Sequence, residues 1–205
     1  MELESIKKIY SGYSAVYDAL FKRFFFPRIS HAVDSMNIEP GDRVLDVGVG
    51  TGLSLALYPK DCSVVGIDLS DAMLKQAREK IRKNNFDHIE VLEMDAMNLS
   101  FPDNSFDKVF ISHVVSVVPD PYQAMSEVRR VCRSGGEVVV VNHFKSTNKI
   151  IAAVEKVISP ISEKVGWRSD LGLNDFIVGA GLTVRDKYML KKIDFWHMIF
   201  AVNEK

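Results

Sequence analysis

Between residues 43 and 144 short β-branched runs alternate with helical stretches, and this alternation narrows the fold more than any other feature. The runs are RVLDVGV (43–49), CSVVGIDL (62–69), IEVLEMD (89–95), FDKVFIS (106–112) and GEVVVVNHF (136–144). Among them lie SDAMLKQAREKIRKN (70–84) and PYQAMSEVRRVCRSGG (121–136). In the first of these, Met73, Leu74, Ala77 and Ile81 share one helical face while lysines and arginines fill the others. Ser70 is placed to cap its start, and Gly135 and Gly136 are expected to end the second helix. Strands alternating with helices call for a parallel sheet covered on both faces. Two more strand candidates, LTVRDKYML (182–190) and DFWHMIFAV (194–202), are too close together for a parallel crossover and are expected to pair antiparallel. The expected fold class is therefore α/β: a mostly parallel seven-stranded sheet closed by a C-terminal antiparallel hairpin.

Composition excludes several function classes. A chain of 205 residues with 47% apolar and 26% charged residues suits one domain with a sizeable core. Its net charge of −1 gives no overall field for nucleic acid, and no nucleic-acid partner is expected. Cys62 and Cys132 are too few for a disulfide framework, and no His/Cys/Asp cluster has metal-ligand spacing, so no metal is expected. The opening MELESIKK lacks the apolar run of a secretory signal, and no stretch approaches a spanning helix. The expected location is the cytoplasm, either free or peripheral on the inner face of the membrane.

The first strand ends in VLDVGVGTG (44–52), which places three glycines where an open α/β sheet binds its ligands. No Gly-Lys-Ser/Thr follows, so this is not a P-loop, and G-x-G-x-x-G is met only loosely because Leu53 stands third. A bare glycine turn would be the plain alternative. The surroundings are more informative. Asp46 precedes the loop, placed to meet an ammonium or to orient the loop by hydrogen bonds. Asp68 ends the second strand, where a carboxylate can accept both ribose hydroxyls. Leu69 and Met73 offer an apolar bed for adenine, and Asp95 with Ala96 ends the third strand beside it. Phosphates favour helix N-termini and basic side chains, whereas the polar groups here are acidic. A nucleoside that carries an amino acid and no phosphate suits such a set.

Four segments in order, VLDVGVGTG, VVGIDLSDAMLKQARE, LEMDAMNLSFPDNSFDKVF and MSEVRRVCRSGGEVVVVNHF, resemble the class I S-adenosylmethionine-dependent methyltransferases over about residues 40–145. The resemblance implies a Rossmann-like fold and S-adenosylmethionine as cofactor. It implies that Asp46, Gly48, Gly50 and Gly52 line the methionine moiety, that Asp68 takes the ribose, and that Asp95 and Ala96 flank the adenine. His113, just past the fourth strand, would lie under the cofactor. Val47 and Thr51 of the same loop and Tyr17 near the N-terminus complete the expected cofactor set. GVGTGLSLALYP, GIDLSDAML, SVVPDP, VCRSGGEVVVVNHF and GWRSD are further similar to bacterial phospholipid N-methyltransferases that act on phosphatidylethanolamine. YSAVYDALFKRFFFPRI resembles the Tyr-Asp segment and amphipathic helix that precede the core in those enzymes. Asp46 and Asp68 stand where glutamate is frequent among them, and either carboxylate serves the same hydrogen bond.

The remaining parts of the chain bear on the methyl acceptor. Residues 1–37 read as a helical lid, 40–145 as the cofactor core, 145–181 as a helical insertion (NKIIAAVEKVI and LNDFIVGAG) and 182–205 as the closing hairpin. Residues 1–30 carry five basic against three acidic side chains and four of the twelve phenylalanines. An aromatic, cationic, amphipathic helix suits an anionic membrane surface; the alternative is a lid whose aromatics are simply core. Methyl transfer mainly requires alignment and exclusion of water, with a base to help an amine lose its proton. His143, His113 and Tyr17 are the catalytic candidates. Arg28, Lys145 and Arg168 are candidates for a phosphate, Asn142 for the substrate mouth, and Trp167 for a wall facing a methylated ammonium. The leading expectation is N-methylation of a phosphatidylethanolamine headgroup. A soluble methyltransferase for a quinone precursor or small metabolite, a non-catalytic cofactor-binding protein, and a nicotinamide oxidoreductase are the alternatives.

Overall fold

The computed structural model describes residues 25–145, 171–190 and 196–205. Tyr17, Trp167, Arg168, the NKIIAAVEKVI segment and nearly all of the basic, aromatic N-terminal stretch lie outside these residues. Within them the chain forms helix α1 (25–34), β1 (Arg43–Val47), β2 (Ser63–Asp68), α2 (Asp71–Asn84), β3 (Ile89–Glu93) and β4 (Phe106–Ser112). It continues with α3 (Pro121–Val131), β5 (Cys132–His143), α4 (Leu173–Gly179), β6 (Thr183–Tyr188) and β7 (Trp196–Val202). The seven strands form one sheet in the order β3-β2-β1-β4-β5-β7-β6. β1 to β5 pair in parallel, and β7 runs antiparallel to both β5 and β6. The antiparallel closing pair is the one the short spacing required.

The central strands are apolar on both faces because helices cover both. Val44, Leu45, Val47, Val109, Ile111 and Val138 to Val141 are all fully buried. α1 and the turn after it lay Ile29, Ala32, Val33 and Met36 against one face, each at most 7% exposed. Burying a side chain of the Ile or Met kind contributes about 1.5–3 kcal/mol, so this short helix is well anchored. α2 starts at the expected cap, with the Ser70 hydroxyl accepting from the Met73 amide, and ends at Asn85 in the left-handed region. α3 starts with Pro121 after Asp120, whose carboxylate accepts the amides of Tyr122 and Gln123.

One boundary differs from expectation. α3 ends at Val131, not at the glycine pair, and β5 begins at Cys132, not at residue 136. The glycines instead form a bend inside β5. Gly135 has φ +74°, and a Cβ on Gly136 would stand 2.7 Å from the Asp107 carbonyl. The register of β4 against β5 shifts at this point. Asn203, which is 1% exposed, holds the bend by donating its amide to the carbonyls of Arg129, Cys132 and Arg133. A tertiary clamp from the C-terminus therefore decides where the helix stops.

Strand order reverses between β1 and β4, so the loops after these two strands face one another at the sheet's carboxyl edge. β5 and β7 bring their own ends to the same place, with His143 opposite Trp196 and Asn142 opposite His197.

Candidate cofactor and acceptor site

The glycine loop is fixed from below by the second strand. The amides of Gly48 and Val49 donate to the Ile67 carbonyl at 2.8 and 3.0 Å. Gly48 has φ +78°, and a Cβ there would stand 2.1 Å from Cγ2 of Val114 in the loop after β4. Only glycine allows the two loops to meet so closely. Gly50 (φ +55°) turns its amide onto Asp68, donating to Oδ2 at 3.0 Å, while Oδ1 accepts the Ser70 amide at 2.8 Å. Asp68 thus ties the glycine loop to the start of α2, and each of its oxygens retains a second acceptor site. Burial raises the Asp68 pKa, and the amides of Ser70, Gly50 and Leu69 oppose that rise.

Asp46 lies deeper. Its carboxylate, 1% exposed, accepts hydrogen bonds from the hydroxyls of Ser54 and Tyr58, the latter at 2.8 Å. Burial raises its pKa to about 6; the two hydroxyl bonds pull the other way and the nearby Asp68 adds to the rise. Burial, followed by the Asp46 charge, pushes the Tyr58 phenol well above its ordinary value. Of the two roles expected for Asp46, this geometry favours orienting the loop. Ser54 and Tyr58 went unnoticed in the sequence because SLALY carries no loop signal of its own.

A cavity opens above the loop. It is lined by Asp46, Gly48 to Thr51, Leu53 and Ser54 from the loop and by Phe110, Ser112 and His113 from β4 and its end, and it is roofed by Phe25 and Ile29 of α1. Among the described residues its lining includes acidic Asp46 and no lysine or arginine. Further along the same edge, Leu69 is half-buried and Met73 is 2% exposed. Asp95 caps a turn through Oδ1, which accepts the Met97 amide at 2.8 Å, and Ala96 packs on the core beside it. Val47 is fully buried, so only its backbone can face a ligand.

His113 stands at the junction. It adopts φ +61°, a left-handed conformation that costs a non-glycine residue on the order of 1–3 kcal/mol. Its amide donates to the Val141 carbonyl at 2.8 Å, and Nδ1 lies 2.6 Å from the Ser112 hydroxyl. Nε2 is sealed from water without a hydrogen-bond partner among the described residues. Burial, then the Arg28 charge, then His143 lower its pKa to about 3, so the ring is neutral at physiological pH. Its ring centroid lies 4.3 Å from that of Phe25 and 6.5 Å from that of Trp196.

The substrate candidates divide. His143 is 2% exposed and meets the Trp196 ring edge-on at 6.3 Å. Asn142 is fully buried, with its amide donating to the His143 carbonyl and accepting from Ser116. It supports the end of β5 and does not present an open contact to substrate, because a buried amide must satisfy its own hydrogen bonds within the fold. Lys145 is exposed at the second residue beyond that strand end, its amide donating to the Leu171 carbonyl. Arg28 lies over the Trp196 ring, 4.6 Å from its centroid. Trp196 was missed in the sequence because DFWHMIFAV reads as an ordinary closing strand. Only the register against His143 reveals that its first residue reaches the ligand edge.

A Rossmann-like sheet whose glycine loop lies between the carboxylates of Asp46 and Asp68 suits a nucleoside lacking phosphate. Comparison with known proteins names the class. The model of the methyltransferase domain family matches residues 45–140. A phosphatidylethanolamine N-methyltransferase of Cereibacter sphaeroides is 44% identical over 84% of this chain and 85% of its own. A demethylmenaquinone methyltransferase of Anoxybacillus flavithermus is 34% identical over 70% of this chain and 64% of its own. Among solved structures, a chain in the complex of the Haloferax volcanii Trm112 methyltransferase activator with a putative methyltransferase superposes with a TM-score of 0.79. It is 20% identical and covers 96% of this chain and 98% of its own. The chain belongs to the class I S-adenosylmethionine-dependent methyltransferases. Its cofactor is S-adenosylmethionine, and the cavity walled by the glycine loop and Asp46 fits that cationic molecule.

Proposed function

We propose that this methyltransferase N-methylates the ethanolamine headgroup of phosphatidylethanolamine. The observation that carries the reading is the Cereibacter relative of that name, 44% identical over a span that exceeds the shared methyltransferase core. When bound, the cofactor supplies an electrophilic methyl group on a sulfonium. Gly48, Gly50 and Gly52 would hold its methionine end, Asp68 its ribose hydroxyls, and Asp95 with Leu69 and Met73 the adenine side.

The chain's own groups would align the acceptor and keep it dry. His113 is neutral and too weakly basic to carry away an amine proton. Its Nε2 would instead accept an N–H of the acceptor nitrogen and turn the nitrogen lone pair toward the methyl. The headgroup would arrive as its ammonium form and release a proton to water at the mouth of the site, so that the neutral amine meets the methyl. Phe25 and Ile29 would roof the site, and Arg28 and Lys145 would meet the phosphate. The N-terminal segment would then serve an anionic bilayer, and Tyr17 the cofactor site; no described helix is long and apolar enough to cross a membrane.

Incubation with methyl-labelled cofactor and phosphatidylethanolamine vesicles tests the reading, and labelled monomethyl lipid is the expected product. Unlabelled lipid from protein that binds S-adenosylhomocysteine normally overturns it. The demethylmenaquinone relative supports a second acceptor, a quinone precursor, and a parallel incubation with demethylmenaquinone distinguishes the two.

A further inference from the structure

The mouth of the site holds an aromatic group that the methyl-transfer reading leaves unused. Trp196 heads β7 opposite His143, and Phe25 meets its ring edge-on at 5.2 Å. The Arg28 guanidinium already lies on the indole, 4.6 Å from the ring centroid, which marks that ring as a seat for a cation. The His113 ring, the one that faces the cofactor cavity, is 6.5 Å from Trp196. A nitrogen held between two rings at that separation falls within the ~6 Å reach of cation–π attraction.

We propose that Trp196 is the wall that receives the acceptor's ammonium group, and that Arg28 leaves its face to take the phosphodiester when a zwitterionic headgroup arrives. This rests on the phospholipid reading and adds how the headgroup is recognised. The exchange is favourable in direction, because a guanidinium makes paired, charge-assisted hydrogen bonds to phosphate that an indole cannot offer. The vacated ring then takes the cation that the same headgroup carries. As methyl groups replace N–H bonds, hydrogen bonding to Nε2 of His113 wanes and the Trp196 face becomes the main remaining contact. Trp196 is thus a specificity-determining residue for the more methylated forms.

The test is calorimetric, on the whole protein saturated with S-adenosylhomocysteine. Dihexanoyl-phosphatidylcholine and dihexanoyl-phosphatidylglycerol, both kept below their micelle concentrations, share tails and phosphate and differ in the cation. Wild type is expected to prefer the choline lipid several-fold. Trp196→Leu should weaken the choline lipid on the order of tenfold, leave the glycerol lipid unchanged and so erase the preference. Arg28→Ala should weaken the glycerol lipid more than the choline lipid, which enlarges the preference. Trp196→Phe, which keeps an aromatic face, should restore part of the preference and stands in if the leucine variant loses S-adenosylhomocysteine binding. No preference in wild type, equal loss of both lipids in Trp196→Leu, or unchanged glycerol-lipid binding in Arg28→Ala overturns the proposal. Methylated phosphatidylethanolamine with a preference indifferent to Trp196 sinks the wall alone. A Trp196-dependent preference without lipid methylation sinks only the lipid-methylation reading.

Discussion

The Tyr58 hydroxyl donates to Oδ2 of Asp46 at 2.8 Å inside the core, twelve residues along the chain and on the far side of the glycine loop. That bond joins the end of β1 to the segment that closes the loop, so the shape of the glycine loop depends on a contact buried beneath it. Tyr58→Phe keeps the ring's packing and removes the donor. Hydrogen bonds to a charged group contribute about 1.5–3 kcal/mol, and Asp46 would keep only Ser54. The urea midpoint is expected to fall by a corresponding amount, and S-adenosylhomocysteine binding, measured by calorimetry, should weaken with it. Unchanged stability would mean the bond contributes nothing.

Asp46 and His113 are buried in the same cradle and should oppose each other as pH changes. Burial raises Asp46 from 3.8 to about 6, so between those values the native state binds a proton that the unfolded chain has released. Its contribution to stability therefore falls as pH climbs through that window, and Asp68, also raised, acts in the same direction. Burial lowers His113 from 6.5 to about 3, so there the unfolded chain holds the proton and stability falls as pH drops. Each slope approaches about 1.4 kcal/mol per pH unit when fully developed. In wild type the two largely offset each other between pH 4 and 6. Asp46→Asn should expose the histidine limb, with stability rising from pH 4 to 6.5, and His113→Phe should expose the falling aspartate limb. Urea midpoints across pH 4–7 measure both, and parallel profiles for the two variants would contradict the opposed signs.

What was legible in the sequence was whatever local pattern dictates. β-branched runs gave the strands, Ser70 gave a helix start, and the short spacing before Trp196 gave the antiparallel pair. The glycine turn and the carboxylate that holds it were legible because Gly48 and Asp68 are each required by backbone geometry at a strand end. What stayed hidden depends on distant partners. The end of α3 at Val131 is decided by Asn203, more than seventy residues away. Trp196 gains its meaning from a register that places it beside His143. Asn142 looked like a substrate contact because it ends a strand, but full burial and two internal hydrogen bonds give it a supporting role.

Gly48 offers a sharp test of how the two ligand loops meet. Gly48→Ala places a methyl 2.1 Å from Val114 Cγ2 at φ +78°. Overpacking of this kind costs about 1–3 kcal/mol and the left-handed backbone about 1 kcal/mol more. Melting temperature and S-adenosylhomocysteine affinity should both drop. Adding Val114→Ala removes the clash and leaves the backbone cost, so the double variant should recover most of the stability lost by the single one. Strict additivity of the two substitutions would show that the loops do not touch.

Asp68→Asn separates cradle geometry from fold stability. Both carboxylate oxygens of Asp68 accept backbone amides, from Gly50 at 3.0 Å and Ser70 at 2.8 Å. An asparagine has one acceptor oxygen, so its amide nitrogen must face one of those N–H groups, donor against donor. If the oxygen stays on Ser70, the cap of α2 survives and Gly50 swings free; the reverse choice loosens the start of α2. Removing the carboxylate charge should relieve the burial that raises its pKa. Global stability is therefore expected to change by less than about 1 kcal/mol, because relief of burial offsets the lost hydrogen bond. Cofactor binding has no such offset. With Asp68 as the proposed ribose acceptor, the hydroxyls would lose a charged partner and the loop its anchor, each worth about 1.5–3 kcal/mol, so S-adenosylhomocysteine affinity should fall by two orders of magnitude or more. Calorimetry read beside urea unfolding gives both quantities on one sample, and an unchanged affinity would remove Asp68 from the cofactor site.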